Sequence, residues 1–217
     1  MSKSDKVLQE DIINELAWDP SVNATRVGVT VKDGVVTLTG HLDTFAEKEA
    51  ALRALRRVSG VKAIAVEIDV KLSGEHKRTD TDIANSAEVV LKWHTSIPPG
   101  AIRLTVEHGW VTLEGEVEWD FQRRSAESMI RPVTGVVGIT NQIKLRAKPV
   151  AADISRQIED ALKRQAIREA QHIKITVDGD AVTLRGAVHS WHERLAAQGV
   201  AWSAPGVRSV VNELHVA

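Results

Sequence analysis

Two histidines, His189 and His192, stand three residues apart in the run HSWHE, with Glu193 beside them. On one helical face, two imidazoles at that spacing can hold a metal. The pair has no counterpart elsewhere in the chain, so two solvated histidines at a helix start are the plainer reading, and no metal is expected. Cysteine is absent, which removes disulfides, thiolate metal sites and thiol nucleophiles together. No G-x-S-x-G, P-loop or G-x-G-x-x-G string occurs. No hydroxyl is set beside a base that would activate it. The expectation is a protein that is not an enzyme and uses no cofactor.

Aromatic and basic residues offer binding rather than catalysis. There are six tryptophans, two phenylalanines and no tyrosine. Trp110 follows a turn glycine, out of phase with Val111, and should point outward from a hairpin tip. An indole is apolar with one polar N–H, which suits a membrane interface or a contact between domains, with a plainly exposed ring as the equal alternative. Trp18 and Trp93 end equivalent helices and are expected to seal one end of a core. Phe45, Trp119, Phe121 and Trp191 sit where a hairpin feeds a helix and are expected to be packing anchors. Arg53, Arg56 and Arg57 share one helical face; Arg123, Arg124 and Arg131 occupy the equivalent helix further on. Such faces can touch anionic lipid, at about 1 kcal/mol per residue near the surface, although a solvated face is their commoner use. Glu47 and Glu49 dilute the first cluster.

The elements that carry these residues recur. Gly34–Gly40 reads GVVTLTG, Gly109–Gly115 reads GWVTLEG and Asp180–Gly186 reads DAVTLRG, at offsets of 75 and 71 residues. A glycine followed by valine stands 20 residues after each, at Gly60, Gly135 and Gly206. Two landmarks kept in three copies mark an internal repeat. Apolar residues alternate through Val27, Val29 and Val31, then Val36 and Leu38, and again in the other copies, as half-buried strands require. Asp33-Gly34, His108-Gly109 and Asp178-Gly179 are the expected hairpin turns, where glycine tolerates positive φ; the third places its glycine one residue earlier in the repeat, so its turn type is expected to differ. Spacing by four puts Leu8, Ile12 and Leu16 on one helix face, as it does Ile83, Ala87 and Leu91, and Ile154, Ile158 and Leu162. A second helix buries Ala50, Ala51, Ala54, Leu55 and Val58, with Gly60, Gly135 and Gly206 expected as left-handed helix caps. A last strand alternates Ile64, Val66, Ile68 and Val70. The predicted fold class is α+β: three tandem αββαβ units, over residues 1–72, 79–147 and 150–217. Each is a three-stranded sheet with two helices packed on one face. Short joins, at Ser73–Thr79 and Ala147–Ala151, predict contact between units.

The repeat resembles the BON domain. The resemblance rests on DGVVTLTG at Asp33–Gly40, the glycine-valine pair that follows it, and the strands VVGITNQI at Val136–Ile143 and VRSVVNEL at Val207–Leu214. Gly186 and Gly179 complete the glycine set in the third copy. The first copy departs, with Val66 in place of asparagine. The resemblance implies a non-enzymatic binding module associated with bacterial stress, with a proposed phospholipid-contacting role. The expected partners are an anionic phospholipid or membrane surface, through Trp110 and the arginine faces, or client proteins. A soluble chaperone or scaffold, and a small-ion sensor, are the competing readings.

Composition limits the alternatives. The chain has 217 residues, 43% hydrophobic and 26% charged, with a net charge of −1. The stretches 1–72, 73–147 and 148–217 hold 10 basic against 11 acidic residues, 9 against 10, and 9 against 8. None is a basic domain, so nucleic acid is not an expected partner. Charges at Asp5, Lys6, Glu10, Asp11 and Glu15 break every apolar run that a secretory signal would need. The expected compartment is the cytoplasm, or the periplasm if a leader has been removed.

Overall fold

A computed structural model describes residues 3–146, 153–164 and 173–216. The first unit runs α1 (Asp5–Trp18), β1 (Val27–Lys32), β2 (Val35–Leu42), α2 (Phe45–Arg57) and β3 (Ala63–Val70). The second runs α3 (Asp80–Lys92), β4 (Ile102–Glu107), β5 (Trp110–Val117), α4 (Asp120–Ile130), β6 (Gly138–Asn141) and β7 (Lys144–Leu145). The third runs α5 (Ile154–Arg164), β8 (Lys174–Asp178), β9 (Ala181–Val188), α6 (Trp191–Trp202) and β10 (Ser209–Val216). The expected αββαβ order is therefore present three times. In each unit a hairpin pairs antiparallel, and the second helix carries the chain over to a last strand that pairs parallel with the hairpin's second strand. The expected second join, 147–151, lies outside the described residues.

Register is conserved along with order. Val35 pairs with Ala63, Trp110 with Gly138 and Ala181 with Ser209, each 28 residues apart. The last strand of the second unit breaks across Gln142–Ile143 but resumes unshifted at Glu116 and Lys144. The helix-facing side of each sheet is apolar. The other side is polar, with facing threonines at Thr30 and Thr37, Thr105 and Thr112, and Thr176 and Thr183. That alternation is what one buried sheet face imposes.

The predicted helical faces are the cores. Leu8, Ile12 and Leu16 bury against Leu38, Ala51 and Leu55. Ile83, Ala87 and Leu91 bury against Leu113, Ala126 and Ile130, and Ile154, Ile158 and Leu162 against Leu184, Ala197 and Ala201. Alanines let helix and sheet approach closely, and each buried leucine or isoleucine contributes about 1.5–3 kcal/mol. Asn141 and Asn212 tie helix to last strand: their Nδ2 groups donate to the carbonyls of Arg123 and Arg194. Val66 holds that position in the first unit and is half-exposed.

The turns correct two expectations. All three hairpins close through two residues. In the third the pair is Gly179-Asp180, because Asp178 already pairs with Ala181 as the last residue of β8. Asp33 and Gly34 both have positive φ, as do His108 and Gly109; in the third turn Gly179 alone does. Gly60, Gly135 and Gly206 are left-handed as expected, with φ of 97°, 98° and 85°. They do not cap the second helices, which end at Arg57, Ile130 and Trp202. They bend the following loop into the last strand. In the first two units an acid at the start of the first helix clamps the turn beside it. Asp5 accepts from the N–H groups of Asp33 and Gly34 at 2.7 and 3.0 Å. Asp80 accepts from those of His108 and Gly109 at 2.8 and 2.9 Å.

The units touch in a closed order. Phe45, the first residue of α2, packs on the second unit's core, and Arg131 stands 3.6 Å from Glu49 nearby. The Arg123 guanidinium of α4 lies 4.5 Å from the ring centre of Trp202 on α6. Trp191, the first residue of α6, packs on the first unit's core, and its Nε1 donates to the Val61 carbonyl at 2.7 Å. Arg194 stacks on the same ring at 5.0 Å and donates to the carbonyls of Asn212 and Leu214. Contacts thus run from first to second, second to third and third back to first.

Three outcomes follow from this geometry. A Cβ on Gly115, where φ is 136°, would stand 2.1 Å from the Ala101 carbonyl oxygen. Gly115→Ala should therefore cost roughly 2 kcal/mol or more in urea unfolding, while Gly179→Asn, in open space at a φ asparagine accepts, should cost under about 1 kcal/mol. Hydrogen bonds from the Gly109 and His108 N–H groups hold the Asp80 carboxyl below its ordinary value. The stability it supplies is complete above the unfolded carboxyl value of about 3.9 and is lost as pH falls through the lower folded value. Asp80→Asn should lower Tm at pH 7 and narrow its gap from the parent in melts at pH 3. Trp191→Ala should cost roughly 2 kcal/mol, below the range for a fully buried tryptophan, and raise the radius of gyration in small-angle scattering.

Candidate functional site

The tryptophans expected to seal core ends do the opposite. Trp18 is 83% exposed and Trp93 is 82% exposed. The physical reason is helical phase. Leu16 and Leu91 are the last inward residues of α1 and α3, and a residue two further on is turned about 200° away. Equivalent positions of two units therefore present bare indoles to solvent. Lys3, Asp11, Glu15 and Arg57 surround Trp18 in a shallow recess. Lys3 pairs there with Asp11 at 2.7 Å, and Arg57 pairs with Glu15 at 2.7 Å and Asp19 at 3.1 Å. The Asp19 carboxyl sits below its ordinary value, held first by the Ser21 N–H and then by Arg57.

Trp110 faces the helix-free side of its sheet and is half-exposed. Its ring lies over Gly138 of the neighbouring strand, where a Cβ would come within 2.4 Å of it. Its Nε1 donates to Thr140 Oγ1 at 2.8 Å. Glycine at 138 is what lets the indole lie along the sheet.

The arginine sets divide. Arg53 is exposed and Arg56 half-buried, while Arg57 is held by the acids of α1. Arg123 and Arg124 both reach Asp120, the residue that begins α4. Arg131 lies between Glu49 and Glu127, at 3.6 and 3.0 Å. His189 and His192 are both exposed at the start of α6, where the His189 N–H donates to Glu193 Oε2. Among the described residues, no three side chains of histidine, aspartate or glutamate gather as a metal site. Phe45 and Trp191 pack on neighbouring units, whereas Phe121 is 48% exposed.

Two features escaped the sequence reading. Asp5 and Asp80 share the 75-residue offset of the landmark glycines, so the repeat register itself pointed to their common role as turn clamps. Asp120 is 2% exposed, an unexpected place for a carboxylate. It stands five residues after Gly115, where Phe45 and Trp191 follow Gly40 and Gly186, and that substitution is visible once the copies are aligned. Among the described residues no helix is long and apolar enough to cross a membrane.

Comparison with known proteins agrees with this repeat. Osmotically-inducible protein Y of Escherichia coli (strain K12) is 27% identical over 130 residues, which cover 58% of this chain. The match spans 65% of that relative's length. Two structures of CdsD, a structural protein of the type III secretion system of Chlamydia trachomatis, are 14% identical to this chain. They cover 97% and 100% of it, against 92% and 100% of their own chains. Their TM-scores are 0.27 and 0.26, too low to bear on its architecture. The BON domain family model matches residues 4–71, 79–147 and 151–217, and with three copies spanning nearly its whole length the chain belongs to the BON domain family.

Proposed function

We propose that the chain is a non-enzymatic, osmotic-stress-associated binding protein that attaches to phospholipid surfaces through its bare indoles. The observation that carries this reading is the exposure of Trp18 and Trp93 at equivalent positions of two units. Leaving a large aromatic in water at both places forgoes burial that would stabilise the fold. At a lipid headgroup layer the same ring buries its apolar edge and keeps its N–H hydrated. Membership of the BON family and the similarity to an osmotically inducible protein support the stress association. The cations around Trp18 are paired with acids, so indole burial rather than charge carries attachment. Arg53 on the exposed face of α2 adds a smaller attraction to anionic headgroups.

Co-sedimentation with vesicles of phosphatidylglycerol and phosphatidylcholine tests this. The chain should pellet with the vesicles, its tryptophan emission should shift to the blue, and moderate salt should change pelleting little. A Trp18→Ser, Trp93→Ser double variant should stay in the supernatant with an unchanged Tm. If the parent chain does not pellet even at low salt, the lipid reading is wrong. Suppression of a client protein's aggregation without lipid would then favour a chaperone or scaffold.

A further inference from the structure

The second and third units meet differently from the other pairs. Where the first and third units place Phe45 and Trp191, the second places Asp120. The aromatic wedge comes instead from the third unit, whose Trp202 packs on the second unit's core as well as its own. The exchange leaves a recess of about 300 Å³, walled by Trp119, Phe121 and Trp202 and lined further by Asp120, Arg124 and Ser203. That volume is at the small end of organic-ligand pockets.

Asp120, one of the residues that line the recess, has an unmade hydrogen bond. Asp120 Oδ1 accepts from Arg123, whose guanidinium is also stacked on Trp202. Asp120 Oδ2 is buried and accepts no hydrogen bond. Arg124 Nε stands 2.7 Å from it, an ion pair by distance, but its N–H is not directed at that oxygen. The Arg124 side chain is 56% exposed. A buried carboxylate oxygen without a donor is costly, and aromatic faces beside it attract positive charge.

We propose that this recess binds a small organic cation, a protonated amine on an apolar or aromatic body. The amine N–H donates to Asp120 Oδ2, and the body lies among Trp119, Phe121 and Trp202. Arg124 is a loosely seated occupant of the same oxygen, which the ligand displaces into solvent. Arg123 stays in place, because Oδ1 and the Trp202 face both hold it. An anionic ligand can pair with Arg124 but offers Asp120 Oδ2 no donor.

Calorimetric titration of the full chain with benzylamine tests the proposal, with benzyl alcohol and benzoate as uncharged and anionic counterparts. Benzylamine should bind saturably and move the indole N–H resonances of Trp119 and Trp202. Benzyl alcohol should bind about tenfold more weakly, for want of a charged donor. Asp120→Asn should abolish benzylamine binding, and Arg124→Gln should tighten it by removing the competitor. Phe121→Ala, at an exposed position, should weaken it without altering the melt, and with Arg124→Gln it decides the matter if Asp120→Asn does not fold. The proposal is overturned if neither the parent nor Arg124→Gln saturates at tens of millimolar benzylamine. It is equally overturned if benzoate binds as tightly, or if a folded Asp120→Asn keeps the parent's affinity.

Discussion

The contacts on which the architecture depends are made by single aromatic residues at the ends of second helices, Phe45 and Trp191 at their starts and Trp202 at an end. A unit of this size buries a modest share of its chain's surface and is marginal as a free-standing domain. Here the first and second cores gain apolar surface from a neighbour. Phe45 adds apolar surface to the second core and Trp191 to the first, while Trp202 spans the second and third. Trp191 also carries a directional bond to Val61, so the return from third unit to first has a defined geometry. These wedges belong to helices whose other faces are committed to their own sheets. A shift at a junction therefore disturbs a core directly.

Repetition gives the chain three chances at one position, and it uses them differently. An aromatic side chain at the wedge is satisfied by burial alone. Aspartate there is not: its charge draws in Arg123 and Arg124, and the neighbouring tryptophan has to supply the missing apolar contact. A polar residue in a position built for an aromatic ring leaves space and an unsatisfied atom, the two ingredients of a ligand site. The turn clamps show the opposite pattern, since Asp5 and Asp80 do the same work in two units through nearly identical distances.

Much of the fold is legible in the chain because both periodicities are strong. Four-residue spacing places Leu8, Ile12 and Leu16 without ambiguity, and alternation does the same for Val36 and Leu38. The errors share a cause. Residue type alone would bury Trp18 and Trp93, although the same helical period turns them away from Leu16 and Leu91. Gly60, Gly135 and Gly206 have the expected left-handed backbone, but helix ends depend on capping contacts that a glycine's position does not reveal. Asp178-Gly179 has the aspartate-glycine form of Asp33-Gly34, yet its glycine comes one residue earlier in the repeat, which marks a different turn. The strand register shows that glycine to be the first of the pair.

By itself the sequence determined the number of units, the order of their elements, the faces that become cores and the absence of thiol chemistry. These follow from local spacing, where each residue's neighbours on a helix or strand are known in advance. Tertiary structure alone decided which units meet, that Arg57 is held by Glu15 and Asp19, and that Asp120 is buried where Trp202 of the third unit packs. Those pairings join residues far apart in the chain. Their energies depend on distance and exclusion of water, which no local pattern encodes.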